Sequence, residues 1–157
     1  MNTQNFELFE YWAPIFRKTS QDEEVISKFL AAGISKIPHI KNDDSEQSVD
    51  IGGLTLSFYH PDMLEMDIKL KKGQGVFTGV AIHLEEYKKR TNSSPLPYRF
   101  QYDDSVESTI KRLGKPDSED DEWRSWIIDD FEITAHFSED MKTLEDLTIY
   151  IPIPNSW

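Results

Sequence analysis

The chain has no cysteine. That absence removes disulfides, thiolate nucleophiles and cysteine-ligated zinc together, and it fits a reducing compartment. Long apolar runs are missing too, none approaching the roughly 20 residues that a bilayer-spanning helix needs. The opening MNTQNFELFEYW has no basic stretch followed by an apolar one, so no secretory signal is expected. These absences predict a cytoplasmic protein with no membrane association. Positive charge is scarce: 17 Lys and Arg stand against 29 Asp and Glu, a net charge of −12. Such a chain repels phosphate backbones, which argues against nucleic-acid binding and favours basic partners.

Catalytic signatures are also absent. There is no nucleophile elbow, phosphate loop or dinucleotide fingerprint, and Gly52-Gly53 suits a hairpin turn better than a phosphate cradle. The four histidines, His39, His60, His83 and His136, lack metal-site spacing on one helix. His136 with Glu132 on an alternating strand is the best acid–base pair, and a solvated strand face explains it more simply. Adjacent acids such as Asp43-Asp44, Asp103-Asp104, Asp120-Asp121, Asp129-Asp130 and Glu139-Asp140 fall where turns and helix caps use Asp. The 117–122 loop lacks the glycine and oxygen spacing of an EF-hand. The expectation is a non-enzyme with no metal or cofactor.

What is present is enough to fold. Hydrophobic residues make up 38% and aromatics 12% of 157 residues, which suits one domain burying about two thirds of its unfolded surface. Phe6, Phe9, Trp12, Ala13 and Phe16 have helical spacing, with a break expected at Pro14. Thr19 or Ser20 could cap a second helix whose stripe is Val25, Ile26, Phe29 and Leu30, stopped by Gly33. Strand patterns follow at 49–59 and at Leu64, Met66, Ile68 and Leu70. The run Val76 to Leu84 is apolar on both parities, which predicts a strand that is central or covered on both faces.

Residues 85–95 read as a connection. Beyond it, Asp103, Asp104 or Ser105 caps a helix carrying Val106, Ile110 and Leu113 toward the core and stopped by Gly114 and Pro116. Strands are expected at 123–128, 131–137 and 147–151, with a tight turn at Asp129-Asp130 and a polar turn at 138–146. The fold class is therefore α+β, with N-terminal helices and a mainly antiparallel sheet. One domain, 1–157, would comprise an N-terminal half (1–84) and a C-terminal half (96–157), each ordered as helix, strand, strand, strand.

Charge is unevenly spread. Residues 101–147 hold 15 acids and 5 bases, a net −10 of the −12. Asp117, Glu119, Asp120, Asp121, Glu122 and Trp123, with Asp103, Asp129 and Asp130 behind them, are the candidate partner-binding residues. An acidic rim around an aromatic anchor suits an interface that steers a basic partner and then buries a ring. An acidic α+β scaffold or regulatory interaction module is the alternative that composition leaves open.

The stretch LPYRFQYDDSVESTIKRLGKPD, followed by a tryptophan strand and a closing Phe/Ile-rich pair, resembles the small α+β immunity proteins that accompany bacterial polymorphic toxins. The matching residues are Leu96, Pro97, Tyr98, Leu113, Gly114, Pro116, Trp126, Phe131, Phe137 and Ile149. The LGxP signature also occurs in outer-membrane assembly lipoproteins, whose lipobox cysteine this chain lacks. The resemblance implies a cytoplasmic antidote that binds a cognate toxin, such as a basic nuclease, and occludes its active site with an acidic surface. It carries over no catalytic residue, and deaminases and other toxin classes stay open.

Overall fold

In the computed structural model, which describes residues 5–41, 45–66 and 69–152, the aromatic-rich start is helical but broken. A 3-10 turn (Asn5–Glu7) leads into α1 (Phe9–Trp12), and a second 3-10 turn (Ala13–Ile15) follows with Pro14 at its start. Pro14 has no N–H for a continuing α-helix, which accounts for the break. The next helix, α2 (Glu23–Ala31), is capped by Asp22, whose carboxylate accepts from Glu24 N at 2.9 Å. Neither Thr19 nor Ser20 serves as that cap. Ser20 N donates to the Gly75 carbonyl at 2.8 Å, and its hydroxyl accepts from Gly75 N at 2.9 Å. The apolar stripe of α2 is narrower than expected: Val25 and Phe29 are buried, whereas Ile26 is 38% and Leu30 58% exposed.

Among the described residues, seven strands form one antiparallel sheet. They are β1 (Glu46–Ile51), β2 (Leu54–Tyr59), β3 (Val76–His83), β4 (Ser118–Glu119), β5 (Trp123–Ile128), β6 (Phe131–Phe137) and β7 (Leu144–Tyr150). Their spatial order is β1-β2-β3-β7-β6-β5-β4. One meander, β1-β2-β3, thus meets another, β5-β6-β7, through their last strands, with Ile82 opposite Leu147. The remaining helices are α3 (Leu84–Arg90) and α4 (Val106–Leu113). The class is α+β.

Register sorts the side chains into two faces. Val49, Leu56, Val80, Ile149, Ile133 and Trp126 form one cross-strand row. The helices pack on this face. Phe29 of α2 meets Phe58 at 5.7 Å and Trp12 at 5.0 Å. The Trp126 indole contacts Phe100 at 6.0 Å and donates to the Gly114 carbonyl, just past α4, at 3.0 Å. Each fully buried side chain of that size stabilises the fold by about 1.5–3 kcal/mol.

Among the described residues of the alternation from Leu64 to Leu70 there is no strand. Pro61–Leu64 forms a 3-10 turn and Glu65 follows in the left-handed region (φ 53°); Asp67 and Ile68 lie outside the described residues. Pro61 lacks the donor a ladder would need, and Leu64 reaches the core from the turn instead. The double-parity apolar run of β3 has a second cause besides its central position. Its pairing slips between Ser57 and Phe58, so that Gly79 faces Ser57 while Phe77 faces Phe58. The extra residue, Thr78, brings Phe77 to the same face as Val80 and Ile82, where its ring meets Phe58 at 5.3 Å. The strand is central, and its other face is covered at Gly79 by the Tyr150 ring, which a Cβ there would meet at 2.5 Å.

The connection 85–95 begins inside α3. Tyr87 of α3 is buried and accepts from Phe9 N at 3.0 Å, and burial pushes its phenol up to about 12. The cap of α4 is Ser105, in a reciprocal pair with Ser108. Val106, Ile110 and Leu113 pack on the core but stay half-buried, while Thr109 is the buried residue of that helix. The polar turn is shorter than 138–146, because β7 already begins at the buried Leu144.

Candidate functional site

Antiparallel pairing places the turn before β5 and the turn after β6 at the same end of the sheet. The Phe137 N–H donates to the Glu122 carbonyl at 2.8 Å, and the Arg124 guanidinium reaches Met141 Sδ at 3.7 Å. Between the two turns lies a hollow of about 550 Å³ lined by Glu122, Glu139, Asp140 and Glu145, together with Phe137, Ser138 and Thr143. Asp120 and Asp121 are exposed beside it. The 138–143 turn is tied by its own hydrogen bonds: Ser138 Oγ donates to Asp140 Oδ1 at 2.6 Å and Lys142 N donates to the same atom at 3.0 Å. Those two donors hold the Asp140 carboxyl below its ordinary range, so it stays ionised.

The candidate residues separate by role. Glu119 pairs with Arg124 Nε at 3.0 Å, and Asp120 Oδ1 accepts from Asp121 N at 2.7 Å. Glu122 is exposed, and Trp123 is half-buried and paired across the ladder with His136. Asp117 is engaged by the backbone: its carboxylate accepts from Ile127 N at 2.7 Å and its N–H donates to the Ser125 carbonyl. Asp129 and Asp130 lie beyond the far end of β5, a strand that by itself spans about 17 Å at a rise of roughly 3.4 Å per residue. There the Asp130 carbonyl accepts from Arg17 Nη2 at 2.9 Å. Asp103 borders the acidic end, since the next residue's carbonyl accepts from Leu144 N and Val106 N donates to Met141.

The structure therefore brings Glu122 together with three acids outside the candidate set, Glu139, Asp140 and Glu145, while Asp120 and Asp121 precede Glu122 in the same exposed turn. Hairpin topology carried the signal for this, because consecutive antiparallel strands return every second turn to the same end.

The open face of the sheet holds the titratable groups. His83 Nδ1 lies 2.8 Å from Asp146 Oδ1, and its Nε2 lies 2.8 Å from Thr55 Oγ1, which donates to Asp50 Oδ1 at 2.6 Å. The order carboxylate, imidazole, hydroxyl is that of an activated nucleophile. Here, however, the hydroxyl proton goes to Asp50, and the chain of bonds links β1, β2, β3 and β7 as a cross-strand latch. The His136 and Glu132 pair is not brought together. Burial lowers the pKa of His136, with Asp146 opposing, whereas Glu132 is raised by burial and meets Ser125 Oγ at 3.4 Å. Among the described residues no group of three or more His, Cys, Asp or Glu could hold a metal ion. No described helix is long and apolar enough to cross a membrane.

No family model and no curated protein matches the chain. Among solved structures, an extracellular protein containing a SCP domain from Bacillus anthracis str. Ames is similar, with a TM-score of 0.51 and 8% identity. The match covers 96% of this chain and 47% of that one, so this chain spans about half its length. At that identity the likeness is one of fold.

Proposed function

We propose that the chain is an immunity protein, a cytoplasmic and non-catalytic antidote that neutralises a cognate bacterial toxin. The partner is a basic, nuclease-like domain whose active site the acidic surface occludes. The observation that carries this is the convergence of Glu122, Glu139, Asp140 and Glu145 on one hollow, flanked by exposed Asp120 and Asp121. A concave cluster of carboxylates presents to a basic cleft what a phosphate backbone presents, and its field accelerates encounter. The resemblance of residues 96–151 to toxin immunity proteins supports the same assignment.

The test is calorimetric titration against the toxin domain encoded by the neighbouring gene. Nanomolar affinity is expected, corresponding to about −12 kcal/mol. The variant Asp120→Lys/Asp121→Lys should weaken it at least about a hundredfold while the circular dichroism spectrum is retained. Unchanged affinity would place the interface elsewhere. Lack of any toxin partner would leave the acidic scaffold or regulatory module as the function.

A further inference from the structure

One hollow of this acidic protein is edged by cations. It has a volume of about 940 Å³ and lies between α3, the segment 93–103 and α4. Lys88 of α3, Arg99 of the intervening segment and Arg112 of α4 line it, with Phe100 and Tyr102 supplying rings. We infer that this cleft is a binding site for a small organic monoanion, a carboxylate carried on an apolar ring.

The charge count points to one negative charge. Arg112 is already answered by Asp104, a buried carboxylate that also accepts from Gln101 N and Ser108 Oγ. Lys88 and Arg99 form no ion pair among the described residues. Lys88 Nζ stands 5.7 Å from the Tyr102 ring centroid instead. Asp103 is the one unneutralised acid lining the hollow, so Lys88 and Arg99 leave a single net positive charge there. A guanidinium fork matches a carboxylate in two parallel hydrogen bonds, and an apolar floor takes the rest of such a ligand.

Backbone geometry supports a built site. Tyr98 (φ 57°, ψ 32°) and Arg99 (φ 67°) are consecutive non-glycine residues in the left-handed region, between extended Leu96 and Phe100. This reversal sends Leu96 and Phe100 into the core while Arg99 stays exposed at the cleft. Such conformations persist where the surroundings over-determine them, and they gather at binding sites.

The test is a calorimetric and NMR titration of the full chain with 1-naphthoate, its neutral analogue 1-naphthalenemethanol, and acetate. Naphthoate should saturate with a Kd of roughly 1 mM or below, and the alcohol and acetate should each bind at least about tenfold more weakly. Arg99→Gln and Lys88→Gln should each weaken naphthoate by about three- to tenfold, and Asp103→Asn should tighten it. All three residues are exposed, so unchanged melting temperatures will establish that the variants are folded. Lack of saturable binding, equal affinity for the alcohol, or indifference to both cation variants would overturn the assignment. Because it uses a small molecule and no toxin, the result is independent of any toxin partner.

Discussion

The Asp104 carboxylate grips the Arg112 guanidinium through both of its oxygens, with Nη1 3.0 Å from Oδ2 and the second contact between Nη2 and Oδ1. Only 1% of the Asp104 side chain is exposed, and its remaining lone pairs accept from Gln101 N and Ser108 Oγ. One residue therefore fixes the start of α4, the segment before it and the arginine two turns on. Removing one partner strands a buried charge, so Asp104→Ala should lower stability by about 3–5 kcal/mol. In urea unfolding, the double variant with Arg112→Ala should fall well short of the summed single effects.

Core truncations should rank by burial. Ile133 is completely buried within the cross-strand row, whereas Leu113 is half-buried at the end of α4. Ile133→Ala is expected to remove about 2–5 kcal/mol, and Leu113→Ala clearly less. Denaturant midpoints of the two variants decide the order.

The two glycines of the β1–β2 hairpin serve different needs. Gly52 adopts a left-handed φ of 59°, and Gly53 allows α3 to approach, because a Cβ there would meet Tyr87 N at 2.5 Å. Gly53→Ala presses on helix backbone that cannot swing aside, and should cost about 1–3 kcal/mol or more. The thermal midpoint of the variant measures this.

Glu132 gives a pH-dependent prediction. Burial raises its pKa above the ordinary 4.5, with Ser125 opposing. The folded state then binds more protons than the unfolded state between 4.5 and the raised value, so this group's contribution falls as pH rises through that window. Glu132→Gln removes the effect. Its melting temperature should exceed that of the parent at pH 7, and the gap should close as pH drops to 4.5 and below.

Acids of equal sequence prominence should behave differently. Asp117 holds Ile127 N, so Asp117→Ala should reduce stability by about 1 kcal/mol. Asp121 is exposed, and Asp121→Lys should leave stability within about 0.5 kcal/mol. Paired measurements of unfolding and of toxin affinity separate the two roles.

Much of the sheet was legible because period-2 alternation survives wherever one face is buried: β2, β6 and β7 carry it plainly. The alternation at 64–70 misled because Pro61 and the left-handed Glu65 override it locally. The Thr78 bulge was illegible, since one inserted residue changes parity without changing composition. At the candidate site, acid content was visible but grouping was not. Asp129 and Asp130 (φ 52° and 66°) make the tight turn their sequence suggests, yet that turn faces away from Asp120 and Asp121.

By itself the sequence determined the α+β class, the helix stop at Gly114, the hairpin at Gly52-Gly53 and the concentration of negative charge in the turns. Those are local properties, set by backbone sterics and by the period of burial. Tertiary structure decided which turns share an end, so that Glu139, Asp140 and Glu145 join Glu122 while Asp129 and Asp130 do not. It also decided that Lys88 and Arg99, weak signals in an acidic chain, edge one cleft. Charge acts through space, and only strand order and helix packing convert sequence separation into distance.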